Sequence, residues 1–184
     1  MAENTPQHEL VDLSTHQDRY PAWLERARPA LEAKDWTSAF KGYPGLRFAT
    51  APWCTPGKPL AESKIALLST AGVYVAGDQP PFDAENIEGD WRLREIPVDC
   101  DRNKLAIAHT HYDHKFAEQD LNVVLPLDRL EELRGEGLYQ EIAPVVFSIS
   151  GYCTRGDLII ERTAPQVVER LKQMEVDALL HIPV

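Results

Sequence analysis

Four side chains that can transfer protons or bind metal ions lie within six consecutive residues of this sequence, 109–114. They follow an apolar run at residues 105–108, which is typical of a short buried strand. Imidazole groups titrate near neutral pH, so a cluster of this kind can bind or protonate a small polar substrate. We therefore expect His111, Asp113 and His114 to contact the substrate or transfer protons. The fourth residue, His109, is expected to bind the substrate.

The spacing His-x-His-x-Asp-His also matches the first zinc motif of metallo-β-lactamase-type hydrolases, in which imidazoles and a carboxylate hold zinc. Such a site needs further ligands downstream. The only later histidine is His181, and the other two, His8 and His16, lie near the start of the chain. We expect no metal and keep a zinc-dependent hydrolase as a distant alternative. A structural alternative is that the same side chains cap the strand end and bond to one another and to nearby backbone.

Two other apolar runs are also followed by polar loops; these loops are residues 69–72 and 151–156. In α/β sheets, ligands gather beyond the carboxyl ends of the strands. We therefore expect these loops and the histidine string to share one rim, and the end of the final strand to reach it too. Besides His109, the predicted substrate-binding residues are Thr70, Gly72, Asp120, Asn122 and Gly151.

The chain after residue 64 alternates short apolar runs with amphipathic segments. Strands are predicted at residues 65–68, 105–108, 145–150 and 177–184, and helices at residues 126–137 and from Thr163, the latter with Val167, Val168, Leu171 and Met174 on one face. This alternation predicts an α/β fold, a mainly parallel sheet with helices on both faces. Since no helix follows the last strand, we expect the sheet to be incomplete at its C-terminus and the chain to be of low stability.

The amino-terminal part lacks this alternation of short apolar runs and amphipathic segments. Residues 1–40 are predicted to form a polar arm up to residue 19 and then a helix that begins at Pro21 and is kinked by Pro29. Residues 41–184 are predicted to form the α/β domain.

Composition excludes several classes of protein. The net charge of −10 argues against general binding to nucleic acids. No apolar run reaches the roughly 20 residues that span a bilayer, and the first residues lack the features of a signal peptide, so we expect a cytoplasmic protein with no membrane association. The cysteines, Cys54, Cys100 and Cys153, are odd in number and include no C-x-x-C pair, which argues against a disulfide framework or a zinc ribbon.

Several segments, taken in order, resemble the selenoprotein B family, the substrate-specific subunits of glycine, sarcosine, betaine and D-proline reductases. The resemblance runs from about Pro52 to Val184 and is carried by PWCTPGKPLAESKIALLSTAGVYV, QPPFD, GDWRLREIP, HTHYDH, DLNVVLPLDRLEEL, APVVFSISGY and ERTAPQVVERLKQMEVDALLHIPV. It implies reductive cleavage of a carbon–nitrogen bond in a small amino acid or methylated amine. In this chemistry a selenolate or thiolate attacks carbon, and a partner thiol recycles the oxidised centre.

The resemblance also implies where the nucleophile lies. The family carries it in a motif of selenocysteine or cysteine, two residues and a cysteine, directly after the strand that corresponds to DALLHIPV. We therefore expect no cofactor within these residues, a selenocysteine or cysteine pair after Val184, and a UGA codon through which translation continues. The alternative is a gene that is cut short. The implied partners are other reductase subunits, a thioredoxin-like donor and a small amine or amino-acid substrate.

Two departures from the family pattern affect the function. Tyr74 stands where many members carry histidine, so the substrate need not be glycine or betaine. Cys153 lies on a predicted rim loop and outside the family's redox motif, where a resolving thiol is one hypothesis. The alternative function, from another class, is a catalytically inactive binding or assembly module that keeps the substrate loop.

Overall fold

The computed structural model of the chain describes residues 11–49 and 54–184, and the chain divides into two compact units, Met1–Thr55 and Pro56–Val184. Residues 1–10 of the predicted arm, including His8, lie outside the described residues, as does Pro52 of the family resemblance. In the part of the chain that is described, no helix is both long and apolar enough to cross a lipid bilayer.

The first unit is built around one long helix. Its elements are β1, Val11–Asp12, α1, Ser14–Glu32, α2, Trp36–Ala39, and β2, Arg47–Phe48. Strand β1 pairs antiparallel with β2. Helix α1 buries one face because its apolar and aromatic side chains recur at helical spacing. The buried residues of this face are His16, Tyr20, Trp23, Ala27 and Leu31.

Helix α1 begins at Ser14, so the predicted helix start at Pro21 is wrong, and residues 14–19, which were predicted to belong to the polar arm, are helical. The reason is a cap that precedes the helix. The Asp12 carboxylate accepts hydrogen bonds from the Ser14 backbone N–H at 3.0 Å and from the Thr15 hydroxyl at 3.0 Å. These bonds satisfy donors at the helix start, so the helix can form ahead of the proline.

The second unit contains strands, helices and short 3-10 turns. Its strands are β3, Lys64–Ser69, β4, Val73–Val75, β5, Arg94–Pro97, β6, Leu105–Ile107, β7, Glu141–Ile142, β8, Val145–Ser148, and β9, Ala178–Ile182. Its helices are α3, Leu127–Gly135, α4, Gly156–Leu158, and α5, Ala164–Gln173. The 3-10 turns are Leu60–Glu62, Arg102–Lys104 and Leu121–Val123.

A five-stranded sheet with β3 at its centre organises this unit. Strand β3 pairs in parallel with β7 and β8 along one edge and with β9 along the other. Strand β5 pairs antiparallel with β8. The predicted α/β fold with a mainly parallel sheet is therefore confirmed, with one antiparallel strand at an edge.

Helices pack on both faces of this sheet, as predicted. Side chains alternate along a strand, so successive residues of β3 face opposite sides. Ile65 and Leu67 lie in one hydrophobic core with Leu130 of α3. Ala66 lies in a second core with Val167 of α5. The carboxyl end of β3 is thus fixed by packing from above and below.

Strand β6 does not belong to the five-stranded sheet, so the expectation that residues 105–108 form a strand of the parallel sheet is wrong. It pairs antiparallel with β4 in a separate two-stranded sheet. Gly72, with φ of +70°, turns the chain from β3 into β4 and so provides a partner strand outside the main sheet. A short apolar run indicates a strand but does not indicate its partner.

The last helical run begins before the predicted position. Helix α4 continues through a π-helical turn, Ile159–Thr163, into α5. Thr163 was predicted as an N-cap, but it is buried inside this run and its hydroxyl donates a hydrogen bond to the Trp91 carbonyl. Val168 was predicted on the buried face but is 46% exposed. Tertiary contacts have overridden the local capping preference here.

Strand β9 forms one edge of the sheet. Its residues Leu179 and Leu180 are 41% and 40% exposed. The expected incompleteness of the sheet at its C-terminus and the expected low stability both stay predictions.

Candidate functional site

The loops that were predicted to share a rim meet at the carboxyl end of β3. The loop after β3 bonds to the loop after β8 through the Gly72 N–H and the Ile149 carbonyl, at 3.0 Å. It bonds to the end of β6 through the Ala108 N–H and the Gly72 carbonyl, at 2.9 Å. The rim is therefore present, although β6 reaches it from the separate two-stranded sheet.

The residues after β9 join the same rim. The Val184 N–H donates to the Thr70 hydroxyl oxygen at 2.8 Å, and the Thr70 hydroxyl lies 3.3 Å from the Val184 carbonyl. A Cβ atom added at Gly151 would lie 3.0 Å from the carbonyl oxygens of Thr70 and Val184, so the missing side chain permits a close approach. Thr70 and Gly151 hold the rim together. Their contact with substrate stays a prediction.

Gly72 positions the start of the histidine string. Its φ of +70° lies in the left-handed region that favours glycine. A Cβ atom there would also lie 2.7 Å from the Ala108 carbonyl oxygen and 3.3 Å from the His109 Cβ atom. A larger residue would push the string away from β3, so Gly72 acts on the site through His109.

His109 is the most buried residue of the string, with 6% of its surface exposed. Its Nδ1 atom accepts a hydrogen bond from the His111 backbone N–H at 3.1 Å, so the neutral ring carries its proton on Nε2. This Nε2 atom has no hydrogen-bond partner within residues 11–49 and 54–184. Burial, and then the neighbouring imidazoles of His111 and His114, lower the pKa of His109 to about 4. At neutral pH His109 is an uncharged, buried donor with unused hydrogen-bonding capacity.

Two tyrosines that the sequence analysis missed pack against the histidines. The ring of His111 stacks on that of Tyr152, with centroids 3.7 Å apart and 9° between the planes. Tyr112 packs against His109 and His114, with centroid distances of 4.9 and 4.5 Å. The Tyr112 hydroxyl donates to a carbonyl of the β3–β4 turn at 3.2 Å, and burial raises its pKa to about 12. Tyr112 could have been found because it lies inside the string, but no local signal indicates Tyr152.

The two remaining predicted catalytic residues differ in their surroundings. Asp113 is exposed, and its carboxylate accepts a hydrogen bond from the Lys115 backbone N–H at 2.9 Å, which orders the turn. His114 has a buried Nε2 atom with no partner among the described residues, and it borders a cavity of about 350 Å³. The geometry therefore favours His114 over Asp113 for a ligand contact, while the role of each in proton transfer stays a prediction.

Asp120 and Asn122 order the start of α3. The Asp120 carboxylate accepts hydrogen bonds from the Asn122 N–H and side-chain amide at 2.9 and 2.8 Å. The Asn122 side chain in turn donates to the Asp128 carboxylate at 3.0 Å and accepts from the Asp128 N–H at 3.0 Å. Hydrogen bonds from Asn122 lower the pKa of Asp120. These contacts support the loop-ordering role; substrate binding by the pair stays a prediction.

The histidine string and Cys153 were the candidates for metal binding and for thiol chemistry. Within residues 11–49 and 54–184, no three His, Cys, Asp or Glu side chains are grouped so that they could hold one metal ion. Burial raises the pKa of the Cys153 thiol to about 11. Thiolates, not thiols, are the attacking species in disulfide exchange, so this environment disfavours Cys153 as a resolving thiol at neutral pH.

A buried carboxylate, Asp90, orders the segment between β4 and β5 that supports the histidine string, and it forms an ion pair with the exposed Arg92. Asp90 is 2% exposed and accepts hydrogen bonds from the backbone N–H groups of Asp83 and Arg92 at 3.0 and 2.9 Å. The Arg92 guanidinium donates to the same carboxylate at 2.9 and 2.7 Å. The segment that Asp90 orders contributes the Ala84 carbonyl, which accepts a hydrogen bond from the Thr110 hydroxyl at 2.9 Å.

Comparison with known protein families gives one extended match. The family whose sequence profile matches residues 33–182 is described as glycine/sarcosine/betaine reductase selenoprotein B. This match covers the five-stranded sheet, the histidine string and the rim except for the residues after β9.

Three curated proteins are similar to the chain. D-proline reductase subunit gamma of Acetoanaerobium sticklandii is 30% identical over 128 residues, which cover 70% of this chain and 51% of that protein. Glycine reductase complex component B subunit gamma of Symbiobacterium thermophilum is 29% identical over 140 residues, covering 75% and 32%. Betaine reductase complex component B subunit beta of Peptoclostridium acidaminophilum is 26% identical over 174 residues, covering 88% and 39%.

The chain spans about half the length of the first of these relatives and smaller shares of the other two. No solved structure shows significant similarity to the chain.

Proposed function

Because the chain belongs to the glycine/sarcosine/betaine reductase selenoprotein B family, we propose that it is a subunit for reductive cleavage of a carbon–nitrogen bond. The proposed substrate is a small amino acid or methylated amine, and the reductant is a thiol or selenol. The proposed partners are the other subunits of a reductase complex and a thioredoxin-like donor.

The proposed reaction needs two thiol or selenol groups for each carbon–nitrogen bond. One, as its anion, attacks the carbon and displaces the amine, which leaves with its bonding electron pair and takes up a proton. The second attacks the resulting thioether or selenoether at its heteroatom. The carbon then departs with the electron pair and a proton, and a disulfide or selenylsulfide remains. Following the family resemblance, we place the nucleophile in a selenocysteine or cysteine that follows β9.

The observation that carries this proposal is the buried His109 donor at the rim where the β9 end arrives. A buried N–H without an acceptor costs free energy, so a bound substrate oxygen would stabilise the site. Because His109 is neutral at pH 7, it would bind and orient the substrate without transferring a proton. His111 and His114 remain the proposed proton donors to the departing amine.

The test is amine release by the whole chain assembled with its partner subunits from the native host. Glycine, sarcosine, betaine and D-proline are supplied separately with a dithiol reductant. We expect one of them to react with one disulfide formed for each carbon–nitrogen bond cleaved: glycine, sarcosine or betaine would release one amine, whereas D-proline would open its ring and keep the new primary amine in the product. H114N should lower kcat by about a hundredfold, as expected for loss of a positioned acid.

A matched pair of variants isolates the role of His109. In H109N the side-chain oxygen can still accept from the His111 N–H, but the Nε2 donor is lost. In H109Q a donor N–H is kept near the Nε2 position. We expect a raised KM in H109N and partial recovery in H109Q. Equal KM values for wild type and H109N would contradict the assigned role.

The alternative of a catalytically inactive binding or assembly module predicts a different result. The assembled protein would then bind a substrate without releasing amine. Nucleotide sequence after the Val184 codon distinguishes the two further. A UGA or cysteine codon, followed in frame by a further cysteine codon and a continuing α/β sequence, is expected for the reductase, and the absence of both codons would favour the module.

A further inference from the structure

A cavity of about 490 Å³ lies in the first unit, between the start of α1 and the segment that leads into β2. Its lining includes Arg19 of α1 and Arg47 of β2. The family profile begins at residue 33, so the whole of α1 precedes the part of the chain that the family match covers. The proposed reductase chemistry assigns no role to this cavity.

The two arginines give the cavity unused positive charge. Within residues 11–49 and 54–184, neither guanidinium has a hydrogen-bond or ion-pair partner. The acidic side chain in the described lining is Asp12, which lies directly opposite Arg47 in the β1–β2 pair. Its carboxylate nevertheless accepts hydrogen bonds from the Ser14 N–H and hydroxyl at 3.0 and 2.6 Å and from the Thr15 hydroxyl at 3.0 Å. Asp12 is thus engaged at the start of α1, and both arginines remain available to an anion.

The two segments that carry the arginines are held together. The imidazole of His16 on α1 is 1% exposed, and its Nδ1 atom donates to the Pro44 carbonyl at 2.5 Å. The ring of Tyr43 packs edge-on against that of Trp23 on α1, with centroids 4.8 Å apart. At the other end of the cavity, β1 pairs with β2. Because the walls are already in place, a ligand would need to order little more than the two arginine side chains.

A phosphate group is more complementary to two guanidiniums than a carboxylate is. A phosphate ester carries nearly two negative charges at neutral pH and three strong acceptor oxygens, so it can accept forked hydrogen bonds from both arginines. A carboxylate has one charge and two oxygens, which a single guanidinium fork occupies. The cavity volume lies within the range for small-molecule sites. A phosphate group alone would leave much of it empty, since one water molecule takes up about 30 Å³.

We propose that this cavity binds a small phosphate ester through Arg19 and Arg47, with the rest of the ligand against the turn formed by residues 42–45. The proposal adds a ligand in the first unit to the substrate proposed for the second. Neither proposal depends on the other, because the lining residues all belong to the first unit.

Isothermal titration calorimetry of the full chain, in a phosphate-free buffer of constant ionic strength, tests the site. The probes are glycerol 3-phosphate, inorganic phosphate, succinate and glycerol. We expect glycerol 3-phosphate to saturate one site and to bind more tightly than the other three. R19M and R47M should each weaken its binding about tenfold or more, since a charged hydrogen-bond donor is lost. R47K keeps the charge but not the fork and should fall between wild type and R47M.

The matched control for these substitutions is R28M. Arg28 is also exposed on α1, and it lies nine residues from Arg19, which places it on the opposite side of a helix with 3.6 residues per turn. R28M should therefore bind glycerol 3-phosphate like wild type. Arg19 and Arg47 are exposed, so R19M and R47M should keep the wild-type midpoint in urea denaturation, which separates lost binding from lost folding.

Three results would overturn the assignment. The first is that glycerol 3-phosphate does not bind to the wild-type chain. The second is equal binding in wild type, R19M and R47M, or a loss in R28M as large as that in R19M, which would indicate attraction by general charge. The third is that succinate binds as tightly as glycerol 3-phosphate, since the cavity would then not select a phosphate group.

Discussion

Two buried polar side chains of the second unit, Asp90 and His109, differ in how completely their hydrogen bonds are made. Asp90, 2% exposed, accepts four hydrogen bonds. His109, 6% exposed, makes one through Nδ1, while its Nε2 has no partner among the described residues. A fully bonded buried group stabilises the fold, whereas one with unused capacity costs free energy until something binds it. Asp90 therefore belongs to the structural framework of the site, which stabilises the fold, whereas His109 is suited to bind a substrate.

The largest effect is expected at the fully bonded group. In D90N the amide presents an NH₂ group to donors that now bond a carboxylate. The buried guanidinium of Arg94, 3.8 Å from that carboxylate, and the exposed one of Arg92 both lose their ionic partner. We expect the free energy of unfolding to fall by about 3 kcal/mol, as for other broken buried ion pairs. Urea denaturation at neutral pH measures this.

The exposed Asp99 supplies the matched control for that substitution. D99N should change the free energy of unfolding by less than about 0.5 kcal/mol. If D90N lowers the free energy of unfolding no more than D99N does, Asp90 does not stabilise the fold, and the contrast drawn between Asp90 and His109 is wrong.

The second prediction concerns the pH dependence of stability. The folded-state pKa of His109 is about 4, below the model-peptide value of 6.5, so the unfolded chain takes up a proton first as pH falls. The stability contribution of neutral His109 is complete above pH 6.5 and is lost progressively toward pH 4, by at most about 1.4 kcal/mol per pH unit. H109N should flatten this slope in urea denaturations across that range.

The exposed His181 on β9 gives the control for the pH series. H181N removes a histidine from the surface and should retain the wild-type slope. Equal slopes for wild type and H109N would show that the pKa of His109 is the same in the folded and unfolded chain. The view of His109 as a buried, neutral group that differs from Asp90 would then be wrong.

Much of the fold could be predicted from the sequence because it depends on local pattern. Continuous apolar runs bounded by turn residues indicated β3, β8 and β9, and their alternation with amphipathic segments indicated a parallel sheet. The pairing of β6 with β4 could not be predicted, since strand partners are chosen by the whole fold. Thr163 is a good N-cap by type, but its hydroxyl bonds to the Trp91 carbonyl from a distant segment.

A similar part of the site could be predicted. The residue types of the histidine string and its position after a strand indicated a functional site, and the position of the loops after strands predicted that they meet at one rim. What the sequence could not show is which nitrogen of His109 is free and that Tyr152 stacks on His111. Both depend on the distance between segments that are far apart in the chain.

The third prediction concerns that stack, which orients a histidine without burying it fully. Y152L removes the aromatic face beneath His111 and should lower the free energy of unfolding by about 1 kcal/mol, with a raised KM as His111 loses its orientation. Y152F keeps the ring and loses only the hydroxyl bond to the Ile87 carbonyl, 2.7 Å long. KM for Y152F should therefore stay close to wild type. Equal KM values for Y152L and wild type would mean that the orientation of His111 is unimportant to binding.

The smallest effect is expected at Asn122, a predicted substrate-binding residue whose polar atoms already bond to Asp120 and Asp128. By the reasoning applied to Asp90, a group whose hydrogen bonds are made belongs to the framework. At this half-buried position, where the side chain accepts from a backbone N–H in the first turn of α3, its loss should lower the free energy of unfolding by about 0.5 kcal/mol. N122A should leave the KM of the assembled complex within about twofold of wild type. If KM rises tenfold while the denaturation midpoint is unchanged, Asn122 contacts the substrate. Unsatisfied hydrogen-bonding groups in the free protein would then not predict which residues bind the ligand in this family.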